Sequence, residues 1–156
     1  MERVLFICTA NICRSPMAGG IFDALAEDMR LSFRSESAGV AALVKEPAAP
    51  HAVRAMEELG IDIRGHRARQ VDEAVIQSAD LVLTMTPRHR ETLHRNFPEF
   101  REKIRTLPEY STGSATGIAD PYGYDFSVYR TSAREILRHV ELVLERLNPE
   151  QRTSGT

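Results

Sequence analysis

Residues able to do chemistry gather in one short segment, Cys8-Thr9-Ala10-Asn11-Ile12-Cys13-Arg14-Ser15-Pro16. An ionised cysteine is a nucleophile, and an arginine presents a planar fork that matches two oxygens of a phosphoryl group. The Cys-to-Arg interval alone is weak, since a chain this rich in arginine would show it by chance about one time in four. Its position gives it meaning. Just before it, Val4-Leu5-Phe6-Ile7 is a continuous apolar run, the pattern of a strand buried on both faces. Just after it, Met17, Ile21 and Leu25 alternate with Ala18 and Phe22 at four-residue steps, which predicts a helix from about Arg14 to Met29. A loop entering a helix N-terminus turns its backbone N–H groups toward an anion, and the helix dipole favours a thiolate there. Thr9, Ala10, Asn11, Ile12, Cys13 and Arg14 are therefore expected to cradle a phosphate or another oxyanion beside Cys8. Alone, Cys8 would read as a buried structural thiol; Arg14 and Ser15 beside it favour the nucleophile. Cys13 has two readings, plain packing at the helix start or a redox partner that captures oxidised Cys8 as a disulfide.

The elements that must hold this segment alternate along the chain. Ser35 to Val40 reads as a second strand and Pro50 to Leu59 as a helix, with Val53, Met56 and Leu59 on one face. Val71 to Gln77 is a short helix, Leu81-Val82-Leu83 a third strand, and Pro87 to Asn96 a helix with proline in its first turn. Ile104 to Leu107 is a weaker strand, and Val128 to Leu147 a long amphipathic helix. Such alternation implies an α/β domain, a parallel sheet with helices on both faces. Its ligand belongs beyond the carboxyl ends of the strands, where Cys8 to Arg14 falls. One domain is expected over residues 1–147, with a frayed tail over 148–156.

With 156 residues, 42% of them hydrophobic and 27% charged, the composition excludes a disordered or collagenous chain. The net charge of −2 gives no support to nucleic acid or an anionic membrane as partner. Two cysteines in one loop cannot staple a secreted scaffold, and the apolar run from Val4 to Ile7 is too short for a signal sequence or membrane span. A reduced cytoplasm is the expected compartment. His51, His89, His94 and His139 show no metal-ligand spacing with cysteine or acid, so no metal is expected.

The segment from Cys8 to Pro16 resembles the signature of the low-molecular-weight protein tyrosine phosphatases. Ser37-Ala38-Gly39, His66-Arg67-Ala68-Arg69-Gln70 and Asp120-Pro121-Tyr122 resemble further segments of that family in the same order. The resemblance implies a flavodoxin-like fold with a four-stranded parallel sheet, and a phosphatase that needs no metal or other cofactor. It implies that Cys8 attacks phosphorus, Arg14 holds the phosphoryl group and Asp120 serves as general acid and then general base. Ser15 would hydrogen-bond the thiolate, and Asn11 would tie the loop to Ser37 and His66. Tyr122 and Leu43 would wall the cleft, together with Ile12 at its mouth. Two residues depart from the family pattern. Ala10 replaces a glycine, and its methyl is expected to constrain the loop; Thr86 stands where many members carry aspartate.

Chemistry requires the same acid without the resemblance, because an ester leaving group needs a proton at neutral pH. Asp120 precedes a proline, which keeps its backbone extended and out of a helix. Phosphorylated protein is the expected substrate, phosphotyrosine in particular. Phosphoarginine is the main alternative, since Ala38-Gly39-Val40, Thr86 and Gly123 look closer to that branch while Ile12 looks closer to the tyrosine branch. An arsenate reductase would need cysteines downstream of Cys13, and there are none. A non-catalytic phosphate-recognition module is disfavoured by the intact Cys8, Arg14 and Asp120. Oligomeric state has no signal in the sequence.

Overall fold

The computed structural model of the protein describes residues 3–149. Its first strand, β1 (Arg3–Cys8), lies inside the sheet because its sequence leaves no alternative. Val4, Leu5, Phe6 and Ile7 are each at most 1% exposed, so both faces of the strand are covered. Successive side chains of a strand point to opposite faces. Val4 and Phe6 accordingly enter one apolar core, and Leu5 and Ile7 enter the other. β1 pairs in parallel with β2 (Arg34–Gly39) on one side and β3 (Leu81–Thr84) on the other. β4 (Ile104–Thr106) pairs in parallel with β3, giving the order β2-β1-β3-β4.

Helices cover both faces. α1 (Arg14–Asp28), α2 (Pro50–Glu57), α5 (Leu107–Thr112) and α6 (Phe126–Leu147) close over the core around Phe6, Met17 and Ile136. α3 (Glu73–Ser78) and α4 (Pro87–Asn96) close over Leu5, Ile7 and Val82. From β1 the chain crosses outward through α1 to β2, then returns past β1 to reach β3. That reversal opens a crevice at the carboxyl ends of β1 and β3, the position where such sheets take their ligands. Asp72, Thr86, Thr106 and Asp125 cap the helices that follow them with side-chain oxygens. α1 has no side-chain cap from Cys13, so the N–H groups at its start remain free to meet something else. No helix among the described residues is long and apolar enough to cross a membrane.

The expected strands and helices are present, with each bound either unchanged or shifted by one or two residues. Leu59 does not extend α2 as predicted; it lies in the following turn and is 39% exposed. The expected fourth strand stops at Thr106, because Thr106 caps a helix that the sequence reading left out, α5. A 3-10 turn over Pro98–Lys103 was also not anticipated. α6 begins two residues earlier than expected, where Asp125 accepts the Val128 N–H. Asn148 ends α6, and residues 150–156 of the expected tail lie outside the described residues.

One glycine joins this fold to the crevice. Gly39 ends β2 opposite Cys8, and a Cβ placed on it would lie 2.3 Å from the Thr9 carbonyl oxygen. Gly65 has nothing within 4 Å of such an atom. Gly39→Ala is expected to destabilise the protein by about 1–3 kcal/mol through overpacking, read as a lowered denaturation midpoint. Gly65→Ala is expected to leave stability within about 1 kcal/mol of wild type. Equal stability of both variants would contradict the close approach at Gly39.

Candidate active site

The loop from Thr9 to Cys13 is defined by where its backbone bonds go. The Thr9, Ala10 and Ile12 carbonyls accept the N–H groups of Ala41, Leu43 and Ala49, at 2.9, 3.1 and 2.8 Å. The Asn11 carbonyl accepts from His66 Nε2 at 2.6 Å, and the Cys13 carbonyl from Met17 N–H at 3.2 Å. All five carbonyls are thus held by surrounding structure. In a planar trans peptide the next N–H points opposite to the carbonyl. The N–H groups of Ala10, Asn11, Ile12, Cys13 and Arg14 therefore turn away from those partners. Among the described residues, those of residues 10–13 donate to no protein acceptor. Unpaired N–H groups on a loop that lines a cleft at a helix start make an anion site.

Asn11 holds the turn in shape. It is fully buried with φ at 62°, a left-handed conformation that asparagine tolerates better than most residues. Its Nδ2 donates to Ser15 Oγ at 2.7 Å and to Ser37 Oγ at 3.0 Å, while Oδ1 accepts the Arg69 N–H at 2.9 Å. A carbonyl only accepts, so the His66 nitrogen facing the Asn11 carbonyl carries the hydrogen. Burial pushes the His66 ring below its ordinary pKa, against the pull of that bond. Ser15 Oγ accepts from Asn11, which leaves its own hydrogen for Cys8 Sγ at 2.9 Å. Ala10 is not the left-handed residue, so its methyl carries no strain of that kind.

Arg14 is 4% exposed. Its Nη1 donates to the Ile118 carbonyl at 2.8 Å, and its Nη2 lies 3.6 Å from the Asp120 carboxylate. Its Nε is buried and has no partner among the described residues. A buried donor left unpaired costs free energy unless a ligand satisfies it. The segment carrying Asp120 is pinned to the end of β3. The Ile118 N–H donates to the Met85 carbonyl at 2.8 Å, and Gly117 sits so close to Thr86 that a Cβ would contact it at 3.1 Å. Asp120 itself is half exposed, and its Oδ1 accepts the Tyr122 N–H at 3.1 Å.

A cleft of about 220 Å³ is lined by Cys8 through Arg14 together with Leu43, Asp120 and Tyr122. It brings together the expected nucleophile, cradle, acid and apolar walls. Ser15, Ser37 and His66 are not in its lining; they stand behind the loop and brace it. A larger hollow of about 400 Å³ behind the loop is lined by Gly19, Gly20, Asp23, Ser37, His66 and Arg69 among others, with no cysteine. Among the described residues no three His, Cys, Asp or Glu side chains converge as metal ligands.

The two cysteines are both free and buried, yet unlike in surroundings. Cys13 Sγ lies 3.4 Å from the Tyr129 hydroxyl, and burial pushes its thiol up to about 11. Three contributors were missed by sequence reasoning. Arg69 gives its backbone N–H to Asn11, Ile118 gives its carbonyl to Arg14, and His89 touches Thr9. Only the last had a local cue, a threonine three residues before a histidine at a predicted helix start.

Known proteins agree with this geometry. The family model described as low molecular weight phosphotyrosine protein phosphatase matches residues 3–153. A protein-arginine-phosphatase of Bacillus subtilis is 37% identical over 149 residues, covering 96% of this chain and 99% of its own. A low molecular weight protein tyrosine phosphatase structure from T. tengcongensis is 40% identical with a TM-score of 0.91, covering 94% of this chain and 99% of its own. A YwlE arginine phosphatase mutant with a phosphorylated active-site serine is 36% identical with a TM-score of 0.92, covering 97% and 99%. A strand-to-helix loop with its carbonyls turned out, a free cysteine at its start and a buried arginine at its end place the chain in the low molecular weight phosphotyrosine protein phosphatase family.

Proposed function

We propose that the protein hydrolyses phosphotyrosine in proteins through a phosphocysteine intermediate, with Cys8, Arg14 and Asp120 as its catalytic residues. The observation that carries this reading is the set of unpaired N–H groups, with the unpaired Arg14 Nε, in the cleft that Cys8 lines. A phosphate monoester satisfies those donors with its non-bridging oxygens. The Cys8 thiolate attacks phosphorus, the P–O ester bond breaks, and Asp120 gives its proton to the departing phenol oxygen. Asp120, now a carboxylate, takes a proton from water; that water attacks phosphorus, the P–S bond breaks, and inorganic phosphate and the thiolate are released. Ser15 Oγ, 2.9 Å from Cys8 Sγ and already accepting from Asn11, is placed to donate its hydrogen to the sulfur as it attacks and as it departs. Cys13, held as a thiol up to about 11, does not compete as nucleophile at neutral pH. The phosphorylated serine in the YwlE relative supports a covalent intermediate on this loop.

Cys8→Ser is expected to abolish turnover while the fold persists, because a serine hydroxyl without a base is a poor nucleophile. Asp120→Ala is expected to lose about 10²–10⁴-fold in kcat yet still bind phosphate, and to lose less on aryl esters whose leaving groups need no proton. Steady-state assays with a series of aryl phosphates check both. Full activity of Cys8→Ser on any phosphate ester would overturn the mechanism.

Phosphoarginine is the second reading, favoured by the arginine phosphatase among the relatives. Ile12 supports phosphotyrosine. It is 7% exposed and lines the cleft with Leu43 and Tyr122, so an aromatic ring finds apolar surface while a guanidinium N–H finds no acceptor on Ile12. An unpaired polar group costs about 1–3 kcal/mol, roughly 5- to 150-fold in selectivity. Wild type is expected to prefer a phosphotyrosine peptide over a phosphoarginine protein in kcat/KM, and Ile12→Thr to shift that ratio toward phosphoarginine. A wild type that prefers phosphoarginine would overturn the assignment of position 12.

Cys13 also serves, in this reading, as a redox partner. Peroxide converts the Cys8 thiolate to a sulfenic acid with loss of hydroxide; Cys13 then gives up its proton and displaces the second hydroxide as the disulfide forms. Mild peroxide is expected to inhibit wild type reversibly, with dithiothreitol restoring activity, whereas active Cys13→Ser is expected to lose that recovery as its Cys8 oxidises on to sulfinic and sulfonic acids. If mass spectrometry of limitedly oxidised protein finds no Cys8–Cys13 bond, Cys13 serves only to pack against Tyr129.

A further inference from the structure

His89 belongs to none of the segments that mark the family resemblance, yet it reaches the phosphate loop. It is 6% exposed, and both ring nitrogens are engaged: Nε2 lies 2.8 Å from Thr9 Oγ1 and Nδ1 lies 3.0 Å from Thr86 Oγ1. Burial, with the Arg14 charge nearby, brings its pKa down to about 4, so the ring carries a single hydrogen at neutral pH. Thr86 Oγ1 already accepts the His89 backbone N–H as the cap of α4. Among the described residues, Nδ1 is the acceptor within reach of the Thr86 hydroxyl hydrogen. The ring hydrogen therefore sits on Nε2 and points at Thr9, and Thr9 keeps its own hydroxyl hydrogen for the cleft that it lines.

Thr9 is the first residue after the Cys8 strand, and two partners hold it: Ala41 at its carbonyl and His89 at its side chain. The 9–10 peptide must stay fixed for the Ala10 N–H to point into the cradle. We propose that His89 is a positioning residue that fixes this end of the anion-binding loop from the β3–α4 side, opposite the Asn11 brace on the β2 side. Thr86, which departs from the family pattern, is then the residue that sets which ring nitrogen carries the hydrogen.

The inference rests on the phosphatase reading for its effect on rate, and on the loop geometry alone for its effect on phosphate binding. Both are measured: kcat for an aryl phosphate, and the affinity for inorganic phosphate by calorimetry. Thermal melts of each variant report folding. His89→Leu is expected to lower kcat and phosphate affinity by about 3- to 10-fold each, the usual worth of one hydrogen bond. A glutamine amide extends far enough to replace Nε2 and donate to Thr9, whereas asparagine replaces only Nδ1. His89→Gln is therefore expected to recover most of both losses, and His89→Asn to recover the melting temperature only. Thr9→Val, which removes the same bond together with a hydroxyl that lines the cleft, is expected to lose at least as much as His89→Leu, and the double variant to be no worse than the poorer single one. Recovery by asparagine equal to that by glutamine, multiplying losses in the double variant, or unchanged phosphate affinity in a destabilised His89→Leu would each overturn the proposal. A wild type that binds phosphate without hydrolysing aryl phosphates would defeat the proposed function while leaving the affinity test of His89 decisive; a wild type that binds no phosphate would defeat both.

Discussion

Five carbonyls turned outward are what make this loop an anion site. A peptide has one N–H and one C=O on opposite sides, so fixing the second aims the first. The Thr9, Ala10, Asn11, Ile12 and Cys13 carbonyls are fixed by Ala41, Leu43, His66, Ala49 and Met17, which belong to four different parts of the chain. Each unpaired N–H and the buried Arg14 Nε would cost stability if the loop could relax toward internal partners. The surrounding bonds prevent that relaxation, and the fold maintains a polar site complementary to a group with several negative oxygens.

Much of the rest follows from this requirement. Asn11 accepts a left-handed backbone because only a tight reversal lets its carbonyl reach His66 while its side chain reaches Ser15, Ser37 and the Arg69 N–H. Gly39 must lack a side chain because the Thr9 carbonyl passes over it. α1 does without a side-chain cap because its first N–H groups belong to the site. Ser15, satisfied by Asn11 on one side, has its hydrogen left for Cys8 on the other. The ion pair between Arg14 and Asp120 is long and half open to water, so it orients the acid more than it stabilises the fold.

The sequence was legible where chemistry and local pattern coincide. The apolar run of β1, the four-residue steps of α1 and the interval from Cys8 to Arg14 sufficed to locate the nucleophile, the cradle and the crevice. Ser37, His66 and Asp120 carried no local signal of comparable strength; the family resemblance identified them. α5 was hidden because Ile104 to Leu107 reads as one short strand, whereas Thr106 inside it caps a helix that Pro108 helps to start. His89 and Ile118 were illegible for a different reason. Their partners, Thr9 and Arg14, lie 80 and 104 residues away, and only the register of β1 beside β3 brings them together.

The central claim is that Cys8 carries the phosphoryl group, and the direct measurement is to map that group on the protein during turnover. Asp120→Ala, supplied with an aryl phosphate whose leaving group needs no proton, should accumulate the intermediate because its hydrolysis lacks a base. Rapid quenching in denaturant followed by peptide mass spectrometry should then find one phosphoryl group on Cys8. A phosphoryl group on Cys13 or any other residue, or turnover with no phosphorylated protein at any time, would contradict the account.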